Sequence, residues 1–205
     1  MSVLELETPH GLARAHVHAA SHPRAALVLG HGAGGGVGAR DLVAARDAAL
    51  AQDVSVALVE QPYRVAGRRS PAPARQLDAA WLAVVESLRA GPFAGLPLVA
   101  GGRSSGARVA CRTAAATAAD GVLCLAFPLR PPARSGKPQG PSRLDELDAV
   151  TVPTLVVQGV RDPFGMPPPG ARREVVQVES DHSLRAGLDT LAAAVGAWLP
   201  RFSAA

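Results

Sequence analysis

Apolar and polar positions change their spacing once along this chain. Over Val3–Glu7 and Ala13–Ala19 side-chain character alternates on either side of the turn-like Pro9-His10-Gly11. Successive strand residues face opposite sides, so this pattern predicts an antiparallel β-hairpin. Beyond it, short apolar runs at Ala25–Gly30, Val54–Glu60, Pro97–Gly101, Val122–Phe127, Thr154–Gly159 and Glu174–Val178 read as strands. Stretches of helical character lie between or after them, near Asp41–Gln52, Ala74–Ala90, Ser105–Ala119 and Ser183–Leu199. Strands that are apolar throughout are buried on both faces, and strands alternating with helices build a mostly parallel sheet covered by helices on both sides. The predicted class is therefore α/β, one domain over residues 1–205, with an N-terminal antiparallel hairpin and no insertion large enough for a lid. Two Pro/Gly-rich stretches interrupt the pattern, Gln61–Pro73 and Pro128–Pro141, and the second is the expected mobile loop.

Composition narrows this picture. A chain of 205 residues, 48% apolar and 19% charged, can bury one sizeable core. The pI is near 10.0, yet the net charge is only +4 and no run of basic residues resembles a nucleic-acid arm. All but one of the basic residues are arginine, the exception being Lys137, so guanidinium chemistry accounts for part of the high pI. Glu5 and Glu7 stand where a secretory leader would carry basic and apolar residues, and no apolar run approaches the roughly 18 residues of a membrane helix. A cytoplasmic protein, binding neither membrane nor nucleic acid, is expected. Cys111 and Cys124 read as buried free thiols, and Trp81 and Trp198 as core anchors. His16, His18 and His22 have no carboxylate or cysteine in step with them, so no metal site is assigned.

The chemistry begins at Gly102-Arg103-Ser104-Ser105-Gly106, a G-x-S-x-G pattern between an apolar run and an alanine-rich one. Strand, sharp turn and helix in that order form a nucleophile elbow, with Ser104 at the turn. A serine hydroxyl needs a base to take its proton and an acid to orient that base. In this arrangement the chain order is serine, acid, histidine. Asp162 follows the strand ending at Gly159, and His182 follows the strand ending at Val178; His182 is also the sole histidine after residue 31. Asp181 is a poor rival, since a sequence neighbour struggles to reach the ring. The oxyanion formed on attack needs two preorganised N–H donors. Ser105 N–H is one. The other is expected from His31-Gly32-Ala33-Gly34-Gly35-Gly36, at Ala33 with Gly34 as the fallback. That loop lacks G-x-G-x-x-G and the Lys-Ser/Thr of a P-loop, so it is not read as a nucleotide site, and His31 is expected to anchor it.

On these residues the chain resembles the α/β-hydrolase superfamily, from about residue 25 to 185. It is similar within that superfamily to the small, lidless, dienelactone-hydrolase-like group related to testis-expressed protein thirty and the third subunit of the NSL chromatin complex. The matching segments are His31–Gly35, Pro62-Tyr63-Arg64 with Gly67-Arg68-Arg69, Gly101–Ser104, Pro128–Pro132 and Gln158–Gly165. Arg130 stands where that group would have a histidine, and Ala133–Gly136 look like additional residues. Arg64, Arg103, Arg130 and Arg161 all fall just beyond strand ends, where a site must lie, and are candidates for binding an anionic substrate. The expectation is a serine hydrolase acting on a small ester, thioester or lactone, with no metal or organic cofactor. The alternative is a non-catalytic binding module on the same scaffold, in a protein complex.

Overall fold

In the computed structural model, which describes residues 1–133 and 138–203, the first two strands are β1 (Ser2–Thr8) and β2 (Gly11–His18). Thr8 pairs with Gly11, leaving Pro9 and His10 as a two-residue turn. Gly11 takes the positive φ of 105° that closes the turn, and the Thr8 hydroxyl accepts from His10 N–H while donating to the Gly11 carbonyl. Alternation along β2 has the expected consequence: Ala13, Ala15 and Val17 are buried and the residues between them are not.

Six further strands follow: β3 (Ala25–Gly30), β4 (Val54–Glu60), β5 (Leu98–Arg103), β6 (Gly121–Leu125), β7 (Thr154–Gly159) and β8 (Arg173–Val178). The eight lie in the order β1-β2-β4-β3-β5-β6-β7-β8. The β1–β2 and β2–β4 pairs are antiparallel and every later pair is parallel. Successive residues of β3 serve different cores. Leu27 and Leu29 join one cluster with Leu42, Leu191 and Trp198; Ala26 and Val28 join the other with Trp81, Val84 and Ala107. The first cluster lies under α1 (Arg40–Leu50) and α6 (Leu188–Trp198), the second under α3 (Ala74–Ala90) and α4 (Ser105–Thr113). Each face thus has one buried tryptophan. Burial on both faces is why these strands read as unbroken apolar runs.

Arginine pairs fasten α4 to its neighbours. Arg112 makes two hydrogen bonds to Asp78 on α3, and Arg108 makes two to Glu146 on the short helix α5 (Leu144–Asp148). Neither α5 nor the single turn α2 (Pro62–Val65) was expected from the apolar pattern. The largest correction concerns the last helix, expected from Ser183 but beginning at Leu188. Leu184 and Gly187 take positive φ of 45° and 68°, which no right-handed helix accepts. Leu184 is fully buried all the same, so this segment is a loop held down by its own side chain. Similarly α4 stops at Thr113, with Ala118 at φ 48°. Most of the expected mobile loop's additional residues, together with Lys137, lie outside the described residues. Among the described residues no helix is long and apolar enough to cross a membrane.

At the centre of the sheet β5 runs directly into the turn, and the backbones of β3, β5 and α4 meet there. A Cβ on Gly102 would stand 2.5 Å from the Gly30 carbonyl oxygen and 2.8 Å from the Gly106 carbonyl carbon. Backbone cannot yield as a flexible side chain can. Gly102→Ala is therefore expected to lower stability by about 2–3 kcal/mol, read as a shift of the urea midpoint at unchanged slope.

Candidate active site

Ser104 occupies the single residue between the end of β5 and the start of α4, at φ 52° and ψ −107°. Positive φ is costly for a residue with a Cβ, and the turn is held by the Ser104 N–H bond to the Leu125 carbonyl, 2.9 Å. His182 Nε2 lies 2.9 Å from Ser104 Oγ, and His182 Nδ1 lies 2.8 Å from Asp162 Oδ2. The three residues come from positions far apart in sequence and form one hydrogen-bonded line. With Asp162 ionised, Nδ1 carries the proton and donates to it, leaving Nε2 as acceptor for the serine hydroxyl. Asp181 is turned elsewhere: its Oδ1 accepts from the N–H and hydroxyl of Ser183.

Asp162 is fixed from every side. Its side chain is wholly buried. Oδ1 accepts from Phe164 N–H at 2.9 Å, closing a turn of the kind Asp favours before proline. Oδ2 accepts from His182 and also from Gln158 Nε2 at 2.8 Å. Gln158, buried in β7, reaches the Phe127 and Gly165 carbonyls with the same nitrogen, tying the acid's turn to the end of the neighbouring strand. Sequence reading gave Gln158 no role. Its signal was a polar side chain inside an apolar strand, which must find partners when buried. Phe164 covers the other flank, its ring centroid 4.3 Å from that of His182.

The glycine loop after β3 is ordered by two side chains. His31 Nδ1–H donates to the Gly32 carbonyl at 2.8 Å, and His31 Nε2 accepts from Gln61 N–H at 3.2 Å. Each nitrogen has the role a neutral ring requires, and burial lowers the His31 pKa below its ordinary value. The same Gly32 carbonyl accepts from Gly35 N–H, and the Ala33 carbonyl accepts from the Tyr63 hydroxyl at 2.8 Å. A trans peptide points its N–H opposite to its C=O. Two donors on the Gly32 oxygen therefore set the direction of Ala33 N–H, and Tyr63 sets that of Gly34 N–H. Gly32 itself lies against Ser104: a Cβ there would be 3.6 Å from Ser104 Cβ. Ser105 N–H, in the first turn of α4, has no partner within its own helix.

A model of the α/β-hydrolase domain matches residues 23–187. The chain belongs to this α/β-hydrolase family. A comparison with curated proteins returned no match. Solved structures of similar fold include Est1E from Butyrivibrio proteoclasticus, with a TM-score of 0.78 at 14% identity over 98% of both chains. The dienelactone hydrolase of Anabaena variabilis gives a TM-score of 0.78 at 14% identity, over 99% of this chain and 98% of the other. XC6422 from Xanthomonas campestris, described as a serine hydrolase without a lid, gives 0.75 at 20% identity over 100% and 95%. At these identities the likeness is one of fold.

The four arginines that were candidates for binding an anionic substrate are engaged separately. Arg161 pairs with Glu179, both largely exposed. Arg64 donates to the Arg68 carbonyl at 3.4 Å, and Arg130 is exposed. Arg103 is turned inward, onto buried Asp41 and the His182 carbonyl. A shared anion cluster is therefore not what these side chains form. An open cleft of about 640 Å³ is lined by Arg103 and Ser183, the sequence neighbours of Ser104 and His182, together with Gly34, Gly35, Arg40 and Arg185 among others. His16, read as having no carboxylate in step, bonds Glu60 of the paired strand at 2.9 Å. No group of three or more metal-ligating side chains occurs among the described residues.

Two outcomes follow from this geometry. Gln158→Leu removes a donor from buried Asp162 and is expected to cost about 1–3 kcal/mol of stability, measured by urea unfolding. His31 folds neutral, so the stability it confers is fully present above the ordinary value of 6.5 and is lost as pH falls toward the lowered folded value. His18, also lowered by burial, contributes in the same direction. The stability difference between about pH 7.5 and about pH 5.5 should therefore shrink in His31→Asn, measured by urea unfolding at each pH.

Proposed function

We propose that this protein is a serine hydrolase that acts through an acyl-enzyme on small ester, thioester or lactone substrates. The observation that carries the proposal is the continuous line from Ser104 Oγ through His182 to Asp162, with contacts of 2.9 and 2.8 Å. Such a line is the means by which a weakly acidic hydroxyl becomes nucleophilic near neutral pH. As Ser104 Oγ bonds to the carbonyl carbon, its proton passes to His182 Nε2 and negative charge develops on the carbonyl oxygen. Ser105 N–H and Ala33 N–H receive that oxygen. Asp162 stabilises the imidazolium through the proton that stays on Nδ1. Collapse breaks the bond to the leaving group, which takes the proton from Nε2. Water, deprotonated by the same nitrogen, then attacks the acyl-serine and releases the acid.

The open cleft beside the triad supports small substrates. The hydrolase neighbours, an esterase and a dienelactone hydrolase among them, support carboxylic ester chemistry for this chain as well. The segments His31–Gly35, Pro62–Arg64 and Gln158–Gly165 support the narrower kinship with the testis-expressed protein thirty group.

Labelling with a fluorophosphonate probe, located by peptide mass spectrometry, is expected on Ser104 and absent in Ser104→Ala and His182→Ala. Turnover of a short-chain aryl ester should fall by roughly 10⁴-fold or more in either variant. Folded wild-type protein that takes no label and turns over no ester would overturn the proposal and leave a binding module on a hydrolase scaffold.

A further inference from the structure

Arg103 is the x before serine in the elbow motif, and its guanidinium is turned largely inward. Its side chain is 17% exposed, and its Nε lies 2.9 Å from Oδ2 of Asp41, whose side chain is 1% exposed. Asp41 is the second residue of α1, and its other oxygen accepts from Leu42 N–H. The Nε contact lies off the axis of a hydrogen bond, so the pair is held chiefly by charge. Arg103 Nη2 donates to the main-chain carbonyl of His182 at 2.8 Å. No other hydrogen bond to that carbonyl occurs among the described residues. Arg103 Nη1 fills the space where a side chain at position 32 would lie: a Cβ on Gly32 would stand 2.7 Å from it. One guanidinium therefore touches the base's own backbone and the oxyanion loop, while its Cα neighbours the nucleophile.

The His182 loop needs such a hold. It lies outside regular structure between β8 and α6, with Leu184 and Gly187 in left-handed conformations. Its other main-chain ties include Arg161 N–H to the Ser180 carbonyl, Ala186 N–H to Ser180 Oγ and a turn closed by Leu184 N–H on the Asp181 carbonyl, with Leu184 itself buried. At His182 itself the main chain is held by Arg103. A buried ion pair is weak as a source of stability, since desolvating both charges offsets most of their attraction, but it fixes geometry. Burial pushes the Asp41 carboxyl upward, against the pull of Arg103, so the pair's advantage lies in what the guanidinium does with its remaining donors. Arginine reaches both partners from one rigid planar fork, whereas lysine offers a single point charge on a flexible stem.

We propose that Arg103, anchored on Asp41, is a positioning residue for His182: by holding the His182 carbonyl it keeps the imidazole in line between Ser104 and Asp162. The proposal rests on the serine-hydrolase reading for its catalytic consequence, though not for its geometric one. Displacing a catalytic group by about 1 Å can cost about 100-fold in rate. On a small neutral ester such as p-nitrophenyl acetate, Arg103→Ala should lower kcat by about 100-fold and Arg103→Lys by about tenfold, with KM within about threefold of wild type. Asp41→Asn, which leaves Arg103 in place without its anchor, should show an intermediate loss and serves if Arg103→Ala fails to fold.

The second readout does not depend on turnover. The downfield proton resonance of His182 Nδ1–H, assigned by its absence in His182→Ala, should be present in wild type and broadened or lost in Arg103→Lys and Asp41→Asn. A substrate-binding arginine would raise KM instead, and a purely structural one would lower thermal stability with kcat per labelled Ser104 intact. Either result overturns the proposal, as does an unaltered Nδ1–H signal in both variants. If wild-type protein neither labels nor turns over ester, the hydrolase reading fails while the resonance still decides the positioning role.

Discussion

Everything about this site depends on one steric constraint, the near-contact of three backbones beneath Ser104. Strand β3 presents the Gly30 carbonyl, β5 passes it at Gly102, and the chain turns back through Gly106 with no room for a side chain at either glycine. Because the helix starts immediately, Ser104 is forced to positive φ, and its side chain is set by the turn rather than by packing of its own. The same crowding brings the first turn of α4 against the end of β3, so that the glycine loop after β3 lies beside Ser104. Ser104 and the two segments are thereby coupled through backbone, which leaves them little freedom to drift apart. Trp81 buttresses the crossing from below, its ring 3.2 Å from where a Cβ on Gly30 would lie.

That crossing was legible in the sequence because sterics of this kind admit few residues: a serine with glycine two positions to either side, directly after an apolar run, is the pattern that a tight strand-to-helix turn demands. The order of Asp162 and His182 was legible from topology, each lying just past a recognisable strand. The two-core sheet followed from apolar runs without alternation. The N-terminal hairpin followed from the alternation that those runs lack.

What the sequence hid were partnerships between side chains distant in the chain. Arg103 looked available for substrate because its position beyond β5 says where its Cα lies, not where its guanidinium points; the deciding neighbour, Asp41, sits on a helix 62 positions earlier. Glu60 was missed as a partner for His16 because their approach depends on the register between β2 and β4. The final helix was begun too early, since the apolar spacing of Ser183–Leu199 gives no sign that Leu184 is buried from a left-handed conformation. Backbone conformation at such residues is decided by tertiary contacts, and local pattern is silent about it.

Ser104 and the other two members of the hydrogen-bonded line are therefore held by different physics. Ser104 belongs to the sheet and inherits its rigidity. Asp162 and His182 sit on loops, where neither strand pairing nor helix packing fixes a side chain to within the tolerance that catalysis needs. Each loop is compensated by a buried polar group drawn from the body of the fold. Gln158 reaches out of β7 to the acid, and Arg103, seated on Asp41, reaches to the backbone of the base. Arg103 keeps Asp41 and Gln158 keeps the Phe127 carbonyl whatever the loops do, but each would lose one further acceptor if its loop moved away. The dependence runs in both directions: the scaffold orders the loops, and the loops satisfy the scaffold's buried polar atoms. A substitution in either loop would accordingly be felt in the core as well as at Ser104.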